Sequence, residues 1–302
     1  MFETIECKNA KEFWDYLAPT NPLKKNFSDN EKENLLYRGQ EDSFFRLLPA
    51  AFRPYIDKNT HESLLTASEL VKRECKEFLH FVDSEEYIEI VNKGQGQIFK
   101  LRGGFESDNI ENELYKNPSI WPPRCIYNAL FLAQHHGVAT QLLDWSKNVF
   151  VAIYFACQPI LFDKRAVSKL LNGNIAVWCY LPNKAHKEII VANYPRNFDK
   201  NMIAQEGRFT LVKQDIKNAN KRFKIKTLDE IEESNNLWKV TVPRTEIFVL
   251  LSYCRDYKIT AESVYKGRGL DCVAMAYREK VLLNDRLNSN APQGLLNGLD
   301  EA

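Results

Sequence analysis

An α+β fold is predicted for this 302-residue chain, and three observations predict it. Helical periodicities dominate the first half, short β-rich segments dominate much of the second, and no regular βαβ alternation links the two. The expected architecture is therefore one of mixed or antiparallel central sheets flanked by helices, in place of a parallel doubly wound sheet.

Each element has a local reason. Phe13, Trp14 and Leu17 fall at helical spacing behind Asn9, a suitable N-cap, which predicts a helix over 9–18. Residues 34–38 are apolar and β-permissive and predict a strand. From 62 to 82 the residues Leu65, Leu70, Val71, Phe78, Leu79 and Val82 recur among charges, predicting an amphipathic helix that covers a sheet with one face. Glycines and prolines between 94 and 123 predict irregular chain, or an insertion with little core of its own. The next helix starts near Arg124 and is expected to stop at Gly137, a natural left-handed C-terminal residue.

Residues 147–157 read as a buried helix ended before Pro159. Strands are then predicted over 173–181, 188–192, 208–212 and 237–242. In the last of these Trp238, Val240 and Val242 alternate with Lys239 and Thr241, the period of a half-buried strand. Helices over 245–255 and 270–279 complete the pattern. No linker or repeat divides the chain, so the expected organisation is a helical lead-in over 1–30, one domain over 30–280 and a loose tail over 281–302.

Composition excludes several classes. A hydrophobic share of 44% with 27% charged residues is ordinary for a globular chain. The net charge of +1 supplies no global field to draw nucleic acid or an anionic membrane, so such a partner needs a local patch. Seven scattered cysteines without a CxxC pair read as reduced thiols, and a cytoplasmic protein is expected. The start carries Glu3, Glu6 and Lys8 and no apolar h-region, and no stretch approaches about 18 apolar residues, so a soluble protein with no membrane partner is expected.

The densest chemistry lies in residues 134–146, where eight hydrogen-bonding or ionisable side chains fall within thirteen positions just ahead of an apolar stretch. His135 and His136 are adjacent, so on a helix they point about 100° apart and one of them serves structure. Asp144 is placed on a loop, where it can accept from an imidazole, cap the following helix or bind a cation; Ser146 is a second capping candidate. Upstream, Tyr37, Arg38, Gly39 and Gln40 end a predicted strand. Arg38 is suited there to bidentate capture of phosphate or carboxylate, and Gly39 to close approach of a ligand to the backbone. The histidines show no HExxH spacing, so no metal is expected; Ser146 lacks a GxSxG elbow; and the glycines match neither a Rossmann nor a P-loop spacing. The aromatic and basic residues Tyr194, Arg196, Phe198 and Lys200, and the run from Lys213 to Lys226, read as solvated surface beside Asp229 to Glu233.

These motifs resemble the FRG domain, named for its aromatic-Arg-Gly signature. The resemblance rests on Tyr37, Arg38 and Gly39; on Gln134, His135, Gly137, Thr140, Leu142, Leu143, Asp144 and Trp145 with Ala152, Tyr154, Phe155 and Ala156; and on Ile203, Ala204, Gln205, Gly207 and Phe209. It covers roughly residues 30–280 and departs from the commoner pattern at Gln141, where arginine is frequent, and Ser146, where threonine is frequent. Such domains are widespread in bacteria and phages. The order of the motifs is also similar to that of ADP-ribosyltransferases, whose arginine holds the phosphates or ribose of NAD, whose hydroxyl residue supports the site, and whose glutamate activates chemistry at the anomeric carbon.

That similarity implies NAD as cofactor and catalytic roles for Arg38, His135, Ser146 and Gln205 or Glu206. Glutamine cannot be a general base, and Glu206, one residue along a strand, is expected on the opposite face. Ligand contacts are expected from Tyr37, Gly39, Gln40 and Gln134, and from Thr140, Asp144, Trp145 and Phe209. The function expected is an NAD-dependent ADP-ribosyltransferase or NAD glycohydrolase of a bacterial toxin or phage-defence system, with a protein or nucleic-acid acceptor. Two other readings stand beside it: a non-catalytic module that recognises a nucleotide or acidic peptide end, and a purely structural corner in which His135, Asp144 and Trp145 form a buried hydrogen-bonded joint.

Overall fold

A computed structural model describes residues 2–18, 27–92, 114, 116–162, 172–182, 186–193, 203–232, 235–265 and 270–288. In chain order the strands are β1 (Glu3–Glu6), β2 (Leu36–Gln40), β3 (Leu142–Ser146), β4 (Asn174–Tyr180), β5 (Ile189–Asn193), β6 (Gly207–Val212) and β7 (Leu237–Pro243). The helices are α1 (Ala10–Leu17), α2 (Asp29–Asn34), α3 (Ala67–Val82), α4 (Glu85–Asn92), α5 (Tyr127–His135), α6 (Val149–Phe162), α7 (Leu228–Ile231), α8 (Ile247–Asp256), α9 (Ala261–Val264) and α10 (Leu270–Asn288). The strands form one seven-stranded sheet in the order β1-β7-β4-β2-β3-β6-β5. Every pairing is antiparallel except β1 with β7, so the sheet is mixed and the fold is α+β.

Side-chain alternation sorts the sheet into two faces. Tyr37, Val177, Val240 and Val242 point to a face covered by α1, α6 and α8, where Phe13, Ile153 and Leu250 complete a buried cluster. On the same face the β3–β6 half is covered by α5, whose Phe131 ring stacks on Phe209 with centroids 4.6 Å apart. The opposite face buries Leu36, Leu143, Trp145, Trp178 and Tyr180 beneath Leu47 and α7.

Local chemistry sets several boundaries as expected. The Asn9 side chain accepts from the backbone of Glu12 and starts α1. Gly137 adopts a φ of 95° just beyond α5. None of the seven cysteines forms a disulfide, and all but Cys125 are buried.

Elsewhere tertiary packing overrides local pattern. β1 lies inside the expected helical lead-in, because pairing with β7 supplies hydrogen bonds to a polar segment with no β signature of its own. α3 begins at Ala67, five residues later than the pattern suggested, where Thr66 and Glu69 form a capping box; it packs on α5 as an outer layer more than on the sheet. α6 continues through Pro159 to Phe162, since Ile160 beyond the proline is buried in the core. β7 is covered on both faces: Thr241 is buried and the Lys239 ammonium lies 5.1 Å from the Trp178 ring centroid. α10 extends nine residues past the predicted end. Of the expected irregular insertion, 93–113 lie outside the described residues, but Leu114, Pro118 and Trp121 are core residues. The aromatic and basic segment 194–200 and the tail beyond 288 also lie outside them. Among the described residues no helix is long and apolar enough to cross a membrane.

Candidate functional site

A split in the sheet creates the site. β2 pairs with β4 at five positions and β3 with β6 at five, whereas β2 and β3 pair only at Tyr37 and Ser146. Where the two strands part, a cleft of about 340 Å³ opens. The end of α5 contributes Gln134 and His135 to its wall, α6 contributes Ala152 and Phe155, the turn leading into β6 contributes Gln205, and the start of β6 contributes Gly207 and Arg208. Tyr265 closes it.

Arg38 sits in the middle of β2, not at its end as expected, and lines the cleft from the fork. Its Nη1 donates to the carbonyl oxygen of Asp144 at 2.7 Å and lies 3.8 Å from the Asp144 carboxylate. Its Nε is buried and has no hydrogen-bond partner among the described residues. Burial pushes the guanidinium below its ordinary pKa, the Asp144 charge opposes that shift, and the neighbouring charge of Arg53 adds to it. An underpaired, desolvated guanidinium is costly in isolation and suited to an incoming anion.

Asp144 is a strand residue on β3 and caps no helix; its side chain remains 60% exposed. The Gln134 amide donates to its Oδ1 and accepts from the Thr140 hydroxyl, tying the end of α5 to β3. His135 turns into the cleft, while His136 packs against the Phe81 ring with the two imidazoles at 87° to one another, the divergence expected of neighbours on a helix.

Ser146 organises the far wall. Its Oγ donates to the Gln205 carbonyl oxygen at 2.6 Å and accepts from the Asn148 backbone at 2.9 Å, and Asn148 in turn accepts from Phe150 N at the start of α6. The Gln205 amide donates to the Val264 carbonyl oxygen at 3.1 Å. Glu206 is not on a strand: it occupies a turn with φ 49°, and its carboxylate accepts from the Asn148 amide at 3.3 Å outside the cleft lining.

Arg38, His135, Ser146 and Gln205 thus meet in one cleft, together with Tyr37, Gly39, Gln134, Asp144 and Trp145. Gln40, Thr140, Glu206 and Phe209 are not among the cleft residues. Gln40 accepts from Trp178 Nε1 at 2.7 Å, Thr140 is fully buried, and Phe209 belongs to the core under α5. The role of Gly39 also changes: a Cβ there would meet the Ala152 carbonyl oxygen at 1.9 Å, so the glycine admits α6 to the sheet. Trp145 is buried, and its Nε1 donates to the Thr210 hydroxyl at 2.9 Å.

Phe155, Arg208 and Tyr265 were missed as site residues. Arg208 could have been suspected from its place beside Gly207 at the start of β6, whereas Tyr265 carries no sequence signal. Among the described residues no cluster of three or more metal-ligating side chains occurs.

Comparison with known proteins gives a family match. No curated protein and no solved structure matches the chain. The match covers β2, α5, β3 and α6, which together build the fork and two of the cleft walls. Over residues 33–164 the chain matches the family model of the FRG domain.

Proposed function

We propose that the cleft binds NAD and that the protein is an NAD-dependent ADP-ribosyltransferase or NAD glycohydrolase acting in the bacterial cytoplasm, in a toxin or phage-defence setting. The observation that carries this reading is the convergence of Arg38, Ser146 and Gln205 on one cleft beside His135, from β2, β3 and the turn before β6. Those are the positions implied by the similarity to ADP-ribosyltransferases. Arg38 supplies a buried cationic donor for pyrophosphate or ribose oxygens. Phe155 and Tyr265, with ring centroids 6.0 Å apart, supply an apolar wall for a flat heterocycle. A volume of about 340 Å³ lies at the small end of ligand clefts and suits part of a dinucleotide.

Breaking the bond between nicotinamide and ribose builds positive charge on the sugar, which a fixed carboxylate stabilises. Among the described residues Asp144 is the carboxylate lining the cleft, so we assign it that role and give Gln205 a positioning one. The acceptor on this reading is water, a protein or a nucleic acid. Incubation with NAD and detection of free nicotinamide test the assignment.

A second reading, a recognition module that binds a nucleotide or an acidic peptide end without bond making, is favoured by the amide at Gln205 and by the turn of Glu206 toward Asn148. Thermal shift separates the two: a ligand at about 100 times its dissociation constant stabilises by roughly 2.7 kcal/mol whether or not it is cleaved. A shift with NAD and no nicotinamide supports the module.

A further inference from the structure

A second cavity of about 390 Å³ flanks the fork. Arg38 and Gln40 are two apart on β2 and leave it on the same face; Arg38 reaches the first cleft through the fork, and Gln40 lines the second cavity. Phe44 and Phe45 stand at its mouth, 85% and 50% exposed, which is unusual for phenyl rings beside a cavity. Their loop is firmly held. Asp42 pairs with Arg244 at 2.6 Å and caps the Phe44 backbone at 2.9 Å, and Ser43 N donates to the Asn174 carbonyl oxygen at 2.8 Å. The rings are therefore presented on a preorganised support.

Among the described residues the walls of this cavity include Arg46, Arg53, Lys58 and His61 and no carboxylate. Behind them Asp229 and Glu230 hold Arg46 at 3.0 and 3.2 Å, which leaves Arg53 and Lys58 as the cations facing a ligand. Next to His61 runs the segment around Phe223: Ser63 N donates to the Phe223 carbonyl oxygen, Glu62 bridges to Lys224, Lys221 and Arg222 are exposed, and Lys224, exposed as well, lies 3.8 Å from the Glu230 carboxylate. In a chain of net charge +1 this is a local concentration of positive charge around two free aromatic faces.

We propose that this cavity binds single-stranded nucleic acid, with bases stacking on Phe44 and Phe45 and phosphates held by Arg53 and Lys58. Stacking platforms interleaved with cations are the chemistry such strands use, since every base offers a flat face and every linkage a charge. A duplex hides its base faces, and an acidic peptide offers charge without them. The inference does not require the neighbouring cleft to bind NAD; where both hold, the bound strand lies beside the fork as the acceptor.

The test is fluorescence anisotropy of the full chain with a labelled single-stranded oligonucleotide of about ten residues, without NAD. The expected result is saturable binding, weakened roughly ten-fold by Phe44→Ala. Lys58→Ala is expected to lower the slope of log affinity against log salt by about one. Both side chains are on the surface, so the variants keep the fold, which circular dichroism checks. Three results overturn the proposal: no binding, binding indifferent to Phe44→Ala, or equal binding of a duplex or of polyglutamate. The last two identify a merely cationic surface.

Discussion

The carbonyl oxygen of Ala152 lies 1.9 Å from the position a Cβ on Gly39 would take, so α6 rests directly on the backbone of β2. This contact sets Phe155 against the fork, and it depends on the absence of a side chain. Gly39→Ala forces backbone against backbone with no flexible atom to yield. The expected loss is about 3 kcal/mol or more, a large part of a typical domain's stability. Chemical denaturation measures it, and a variant as stable as the parent contradicts this account of α6.

Ser146→Ala removes one hydroxyl that both accepts from Asn148 N and donates to the Gln205 carbonyl oxygen. The expected cost is about 1–2 kcal/mol, with the turn at 205–206 loosened and ligand affinity reduced. Threonine keeps the hydroxyl and is expected to restore both, which denaturation and NAD titration of the two variants check.

Glu74 is fully buried beneath β3, where it accepts from Trp121 Nε1 at 3.0 Å and from Gln141 N at 2.8 Å. Burial pushes its carboxyl up to about 7 in spite of those donors. A carboxyl raised in the folded state stabilises the fold fully below its unfolded pKa and loses that contribution as pH rises through the folded one. Stability is therefore expected to fall between about pH 4.5 and 7 by an amount on the order of 3 kcal/mol from this group. Glu74→Gln is expected to flatten that slope in a pH series of melts; an unchanged slope assigns the effect elsewhere.

Legibility in the sequence followed the range of the interaction. The Asn9 cap, the turn at Gly137 and the strands expected over 173–181 and 208–212 are specified by neighbouring residues, and the structure has those strands at 174–180 and 207–212. β1 was missed because its strand state comes from β7, more than two hundred positions away. Long sequence separation also hid the fork. Arg38 and Asp144 are separated by 106 positions, and nothing local reveals that β2 and β3 pair only once. The motifs singled out Arg38, Ser146 and Gln205, but the displacement of Glu206 depends on a positive φ that only the folded turn imposes.

Asp144 and Glu206 separate by role. Asp144→Asn preserves the shape of the cleft and removes its carboxylate, so nicotinamide release is expected to fall about 100-fold. Glu206→Gln, outside the cleft, is expected to change it less than about 3-fold. Initial rates for both variants decide the matter, and the reverse order moves the catalytic carboxylate to Glu206.

Release of nicotinamide from NAD by the full chain, with and without Arg38→Ala, tests the central claim most directly. Turnover by the parent and its loss in a folded Arg38→Ala variant are predicted, because that guanidinium lines the cleft and its buried Nε has no partner among the described residues. Absence of both NAD binding and nicotinamide release in the parent, or equal turnover by the variant, would contradict it.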